Sequence, residues 1–245
     1  MNSVVGSLVL SFIAGCGTFV GVAVGSARNY GRRGLVFGTS FAAGIMVLIS
    51  CFELIPESVR HSNVTLSLAV VIVGVAALWV LNTLIPHIHS VKEIEDTGSR
   101  YLVKVSYLLT VGLILHDFPE GFAIASSYSY ATPLGLMVII GLFIHNVPEG
   151  YTMTVTSRTV LRSGYRYRAA VLSTLSTVLG TAFGLLLIGR YTTLGPVFNS
   201  FAAGAMVFVA FHELLPVAAR YREWLYFTAG LAASAAVYVA LHTFL

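Results

Sequence analysis

Charge is what this sequence lacks most. Only 10% of its 245 residues are Asp, Glu, Lys or Arg, where a soluble domain of ordinary composition carries about a quarter. Hydrophobic residues make up 57% of the chain and the mean hydropathy is +0.86. Such a chain cannot build a water-facing surface all round, which excludes an ordinary soluble fold and points to the membrane class. Cysteine is nearly absent. Cys16 and Cys51 stand alone in apolar stretches, form no Cys-x-x-Cys pair and leave no disulfide framework; each is expected to be a small buried thiol. The metalloprotease pattern His-Glu-x-x-His is missing, as are low-complexity tracts and any separate soluble domain. In this setting the net charge of +4 is not a nucleic-acid footprint, and no nucleic-acid partner is expected; basic residues of a membrane protein mark topology.

What the sequence does have is apolar runs of about 20 residues, the length that crosses a bilayer. They fall near 4–26, 34–58, 65–86, 104–127, 133–156, 168–189, 195–218 and 223–244. The first lacks a basic leader region and seven like it follow, so it reads as a span. Turn and charge signals separate the runs: SARNYGRRG, RHSN, PHIHSVKEIEDTGSR, SYSYATP, SRTVLRSGYRYR, GRYTTLGP and RYRE. The expected fold is an all-α integral membrane protein of eight transmembrane helices, one domain over 1–245. Arg28, Arg32, Arg33, Lys92, Arg100, Lys104, Arg158, Arg162, Arg166, Arg168, Arg220 and Arg222 fall in alternate connections, and only Arg60 and Arg190 lie on the other side. Twelve of fourteen basic residues on one side puts both termini outside.

Two stretches occur twice. SFAAGIMVLISCFELIP (40–56) and SFAAGAMVFVAFHELLP (200–216) match at a constant offset of 160, including a Glu and a Pro. HDFPEG (116–121) and HNVPEG (145–150) form the second pair. Span 2 thus matches span 7 and span 4 matches span 5, each an odd number of crossings apart, so the copies run in opposite directions. This implies a 3+2+3 inverted repeat, 1–86 mirrored by 168–245 around central helices 104–156. Transporters of that architecture place their substrate near the midplane.

Residues three and four apart share a helix face. His116, Asp117 and Glu120 therefore offer one imidazole and several oxygens to one side, and His145, Asn146 and Glu149 repeat the set. Pro119 and Pro148 lack an N–H and free the carbonyls of Leu115 and Ile144 as further oxygen donors. Gly121 and Gly150 allow close helix approach. Six of the ten acids lie within spans: Glu53, Glu57, Asp117, Glu120, Glu149 and Glu213. Each costs roughly 2.5–3.5 kcal/mol at mid-bilayer on insertion scales, with no Lys or Arg at matching depth. A divalent cation would neutralise them, and carboxylate beside imidazole suits zinc, iron(II) or manganese better than calcium or magnesium. Glu57 stands close enough to the outer end of its span for solvation to explain it equally well. His87 and His89 lie in the basic connection before span 4.

These motifs, with FELIPE on span 2 and FHELLP on span 7, resemble the ZIP (Zrt/Irt-like) metal transporters, above all prokaryotic zinc-uptake members, over nearly the whole chain. The resemblance implies a multi-pass protein of a prokaryotic cytoplasmic membrane, a homodimer in the lipid bilayer, carrying divalent metal as substrate with no prosthetic group. It implies two metals, one held by His116, Glu120, His145 and Glu149, the other by Asp117, Glu120, Asn146 and Glu149. Family members commonly carry Asn at the position of Asp117 and other polar residues at that of His145, departures that bear on metal preference. Glu57 and Glu53 would be outer stations on the route, and Glu213 and His212 inner ones. Zinc, iron, manganese, cobalt and cadmium all remain candidates. An intramembrane metal-dependent hydrolase is the alternative, since His and Glu could also hold a metal-bound water. A haem protein would need facing histidines but not this many carboxylates.

Overall fold

The computed structural model describes residues 2–28, 30–84, 99–130, 132–157 and 161–245, and all of its regular structure is helical. Eight helices follow in order: α1 (Asn2–Ala27), α2 (Gly31–His61), α3 (Val64–Leu84), α4 (Ser99–Tyr130), α5 (Thr132–Ser157), α6 (Ser163–Arg190), α7 (Leu194–Arg220) and α8 (Trp224–Phe244). Seven are long and apolar enough to cross a membrane. The remaining helix, α4, has 32 residues and carries the polar hexapeptide in its middle. His87, His89 and Lys92 lie outside the described residues.

The helices outrun the apolar runs, because hydropathy marks what needs hydrocarbon and not where backbone hydrogen bonding stops. Arg100 and Lys104, expected in a connection, lie in the first turns of α4, and Arg166 and Arg168 in those of α6. Arg60, Arg190 and Arg220 sit in final turns. The expected SYSYATP break is helical to Tyr130 and again from Thr132. RHSN behaves as a turn, with the Asn63 side chain accepting the Leu66 N–H at 2.8 Å, as a helix start requires.

Two groups of four helices emerge from the packing. α1, α4, α5 and α6 form one, and α2, α3, α7 and α8 the other, joined across α2–α5 and α4–α7. Backbone approach in the first group is set by glycine: a Cβ on Gly150 would collide with the Thr18 carbonyl of α1, and one on Gly121 with the Thr177 carbonyl of α6. Between the groups lie Ile45, Met46 and Ile49 of α2, Val138 and Leu142 of α5 and Met206 and Val209 of α7, all buried. Phe122 of α4 meets Phe198 of α7 with ring centroids 4.7 Å apart.

The prolines act where the motif did not lead one to look. Pro119 and Pro148 sit inside unbroken helices. The helical pitch widens instead at Ser50–Leu54 and Ala210–Leu214, one π-helical turn in each of α2 and α7, two residues before Pro56 and Pro216. Such turns insert an extra residue and re-aim the side chains around them; these two carry Glu53 and Glu213. Cys51, expected to be buried, is instead exposed within the wide turn of α2, and Cys16 is only half-buried.

Candidate metal centre

Five of the ten candidate residues come together between α4 and α5. His145 Nε2 lies 3.0 Å from Glu120 Oε1 and 4.0 Å from Glu149 Oε1. His116 Nε2 lies 3.3 Å from Glu149 Oε2, 3.9 Å from Glu120 Oε1 and 3.6 Å from Asp117 Oδ1. All five side chains are buried. His116, Glu120 and Glu149 each present one donor atom within 4.8 Å of the other two, a grouping that could hold a metal ion. His145 joins this triad through Glu120, and Asp117 through His116.

The orientation of these groups is chemically one-sided. His145 Nδ1 donates to the Gly141 carbonyl at 3.2 Å, so in the neutral ring the lone pair is on Nε2, facing Glu120. A lone pair and a carboxylate repel unless a proton or metal cation lies between them. Asp117 Oδ1 and Oδ2, Glu120 Oε2, Glu149 Oε1 and Asn146 Oδ1 are buried without a hydrogen-bond donor. Buried oxygens left bare are costly, and together they form the donor set a small divalent cation would satisfy. Asn146, the sixth central candidate, is anchored elsewhere by its amide nitrogen, which donates to the Ala14 carbonyl of α1 at 3.1 Å.

The outer and inner candidates are not gathered in. Glu53 accepts hydrogen bonds from Tyr238 Oη at 2.6 Å and His242 Nδ1 at 3.1 Å, both on α8. Glu57 is buried rather than solvated, with Arg60 Nη1 at 3.0 Å and His61 Nδ1 at 3.3 Å. His212 is exposed, stacks on Phe208 and has Asn82 Nδ2 of α3 3.0 Å from its Nδ1. Glu213 is half-buried and lies within electrostatic range of His116 and Glu149. Ile49 of α2 packs against α5 at Gly141, one turn before His145. Sequence reasoning missed Tyr238, His242 and Asn82. The offset of 160 extends to them, since residues 78 and 82 of α3 correspond to 238 and 242 of α8.

Eight helices among the described residues, seven of them long and apolar enough to cross a membrane, around a buried His–carboxylate cluster define a multi-pass integral membrane protein. The model of the family described as ZIP Zinc transporter matches residues 85–239. The "Zinc transporter ZupT" of Stenotrophomonas maltophilia (strain K279a) is 33% identical over 238 residues, covering 89% of this chain and 87% of that protein. Proteins of the same name from Enterobacter sp. (strain 638) and Salmonella newport (strain SL254) are 33% and 32% identical, covering 86% of both chains in each case. The chain belongs to the ZIP zinc transporter family.

Proposed function

We propose that this protein carries a divalent transition metal, zinc first, from outside into the cytoplasm through the centre between α4 and α5. The observation that carries the reading is the buried grouping of His116, Glu120 and Glu149 within 4.8 Å. Membership in a transporter family supports it and leaves the hydrolase reading without support. The relatives' printed name favours zinc; iron, manganese, cobalt and cadmium suit the same donors. Two metals share the centre in this reading, with Glu120 and Glu149 bridging, His116 and His145 completing one set and Asp117 and Asn146 the other.

The basic residues supply the orientation, with both termini outside and the first and last residues of α2 inside and outside respectively. Metal then passes Glu57 and Glu53, reaches the centre, and leaves past Glu213 and His212. The two four-helix groups, joined mainly across α2–α5 and α4–α7, suit alternating access by movement of one against the other. A homodimer would hold one group still in the bilayer. The test is uptake of zinc, iron(II), manganese, cobalt and cadmium by proteoliposomes containing wild type, Glu120→Ala or Glu149→Ala. The variants are expected to lose uptake of every metal that the wild type carries. Wild-type rates for all metals in both variants would sink the reading.

A further inference from the structure

The two hexapeptides differ in their second residue, Asp117 against Asn146, and the helices behind them differ to match. Gly150 rests on the Thr18 carbonyl and Gly121 on the Thr177 carbonyl, which aligns α1 behind α5 with α6 behind α4. Four residues before each contact stand Ala14 on α1 and Ser173 on α6. Four residues before each glycine stand Asn146 and Asp117. The amide of Asn146 has an N–H to give and gives it to the Ala14 carbonyl at 3.1 Å. A carboxylate has none to give, and a bare carbonyl in that place would repel it. At the corresponding place on α6 the chain supplies a hydroxyl, that of Ser173, which the same alignment sets opposite Asp117.

That hydroxyl is free to act. Thr177 and Thr181, further along the same face of α6, return their hydroxyls to the carbonyls four residues earlier, at 3.4 and 3.0 Å. Ser173 makes no such bond among the described residues; its oxygen lies 3.2 Å from Thr18 Oγ1 instead. Both hydroxyls are buried, Thr18 at 4% and Ser173 at 5% exposure. Neither Asp117 oxygen has a closed hydrogen bond at the geometry seen. With Thr18 donating to Ser173, the Ser173 proton is left for Asp117 once a small side-chain adjustment brings the two together.

We infer that Ser173, backed by Thr18, is a positioning residue for Asp117 that turns one carboxylate oxygen toward the metal and so sets metal preference. The inference rests on the metal-centre reading above and adds a residue on a helix that carries neither hexapeptide. Serine holds one oxygen of Asp117 and leaves the other for the cation. Without it the carboxylate is free to rotate, and selection between cations that prefer different oxygen geometries weakens.

The experiment compares uptake of zinc, manganese and cadmium, competing in one assay, by proteoliposomes of the full chain. Asp117→Asn is expected to change the ratio of metals taken up. Ser173→Ala should change it in the same direction by about tenfold, the scale of one lost charge-assisted hydrogen bond. Ser173→Thr, which restores the hydroxyl, should return the ratio toward wild type. Ser173→Ala added to Asp117→Asn should shift it no further. If alanine at this position prevents folding, Ser173→Cys, similar in volume and a poor donor, serves the same purpose. An unchanged ratio in Ser173→Ala or in Asp117→Asn overturns the inference, and so does an equal fall for all metals, which would make Ser173 structural. Retained uptake in Glu149→Ala would instead strike down the metal centre itself.

Discussion

Glu120 touches both histidines of the cluster, so replacing it by glutamine separates binding from folding. Glu120→Gln keeps the shape and one oxygen and removes a single negative charge at a fully buried position. Three donor atoms no more than 4.8 Å apart share a centre about 2.8 Å or less from each. Bonds of about 2.0–2.2 Å therefore close with sub-ångström side-chain movements. A unit charge about 4 Å from another is worth about 4 kcal/mol at an effective permittivity of about 20, and about twice that for a dication. Desolvation of the carboxylate cancels several kcal/mol of this. A net loss of about 3 kcal/mol remains, or roughly hundredfold in affinity. Without metal the sign reverses, because Asp117, Glu120 and Glu149 are like charges crowded together. Zinc titration calorimetry on the purified protein, paired with thermal unfolding with and without zinc, reads both effects. The variant should unfold no earlier than wild type without zinc and lose most of the stabilisation that zinc gives by mass action. Zinc affinity within about threefold of wild type, well under 1 kcal/mol, would refute the reasoning.

Three further outcomes are expected. Gly150→Ala puts a methyl group into the Thr18 carbonyl, an overpacking cost of about 1–3 kcal/mol that thermal unfolding without metal should show as a lower midpoint. Tyr151→Phe removes the oxygen that accepts the Tyr30 N–H at 3.0 Å, a loss of about 1 kcal/mol, and should also lower the midpoint; no change would mean water replaces the hydroxyl. On the proposed route, Tyr238→Phe frees Glu53 from its 2.6 Å donor and should raise uptake at limiting zinc while leaving uptake at saturating zinc unchanged. A change confined to the saturating rate would place Glu53 off the entrance path.

The parts of the site that sequence revealed are those governed by local geometry. Positions four apart on a helix must share a face, so His116 with Glu120 and His145 with Glu149 could be grouped before any contact was known. The eight-span reading followed from the apolar runs together with the alternation of basic residues between connections. The wide turns of α2 and α7 did not, because a π-helical turn uses the same residue types as the helix around it. The exposure of Cys51, which lies in the first of these turns, was not legible either. For Glu57 the two readings stayed open, since nearness to a span end says nothing of Arg60 lying 3.0 Å from its carboxylate. Partners contributed by distant helices, such as Tyr238 on Glu53 and Ala14 on Asn146, are tertiary facts. Only the repeat offset pointed toward any of them.

That same offset exposes where the two halves part company. Glu53 and Glu213 occupy the same place in the same wide turn, each followed by Leu and, three residues on, by Pro. Their neighbours differ. α8 brings a phenol and an imidazole, Tyr238 and His242, and both hold Glu53. α3 brings Leu78 and Asn82 to the corresponding positions. Leucine has nothing to donate, and Asn82 is occupied by His212, so no hydrogen bond to Glu213 forms among the described residues. A carboxylate without a local donor keeps its field for the charges around it, and Glu213 lies within range of its neighbour His212 as well as of His116 and Glu149. One acid is thus held by its own helix group while its counterpart has no such hold among the described residues and lies near His212, His116 and Glu149. On the proposed route that difference has a direction, since a cation at the centre meets its next unheld carboxylate on the side of α7 that leads inward.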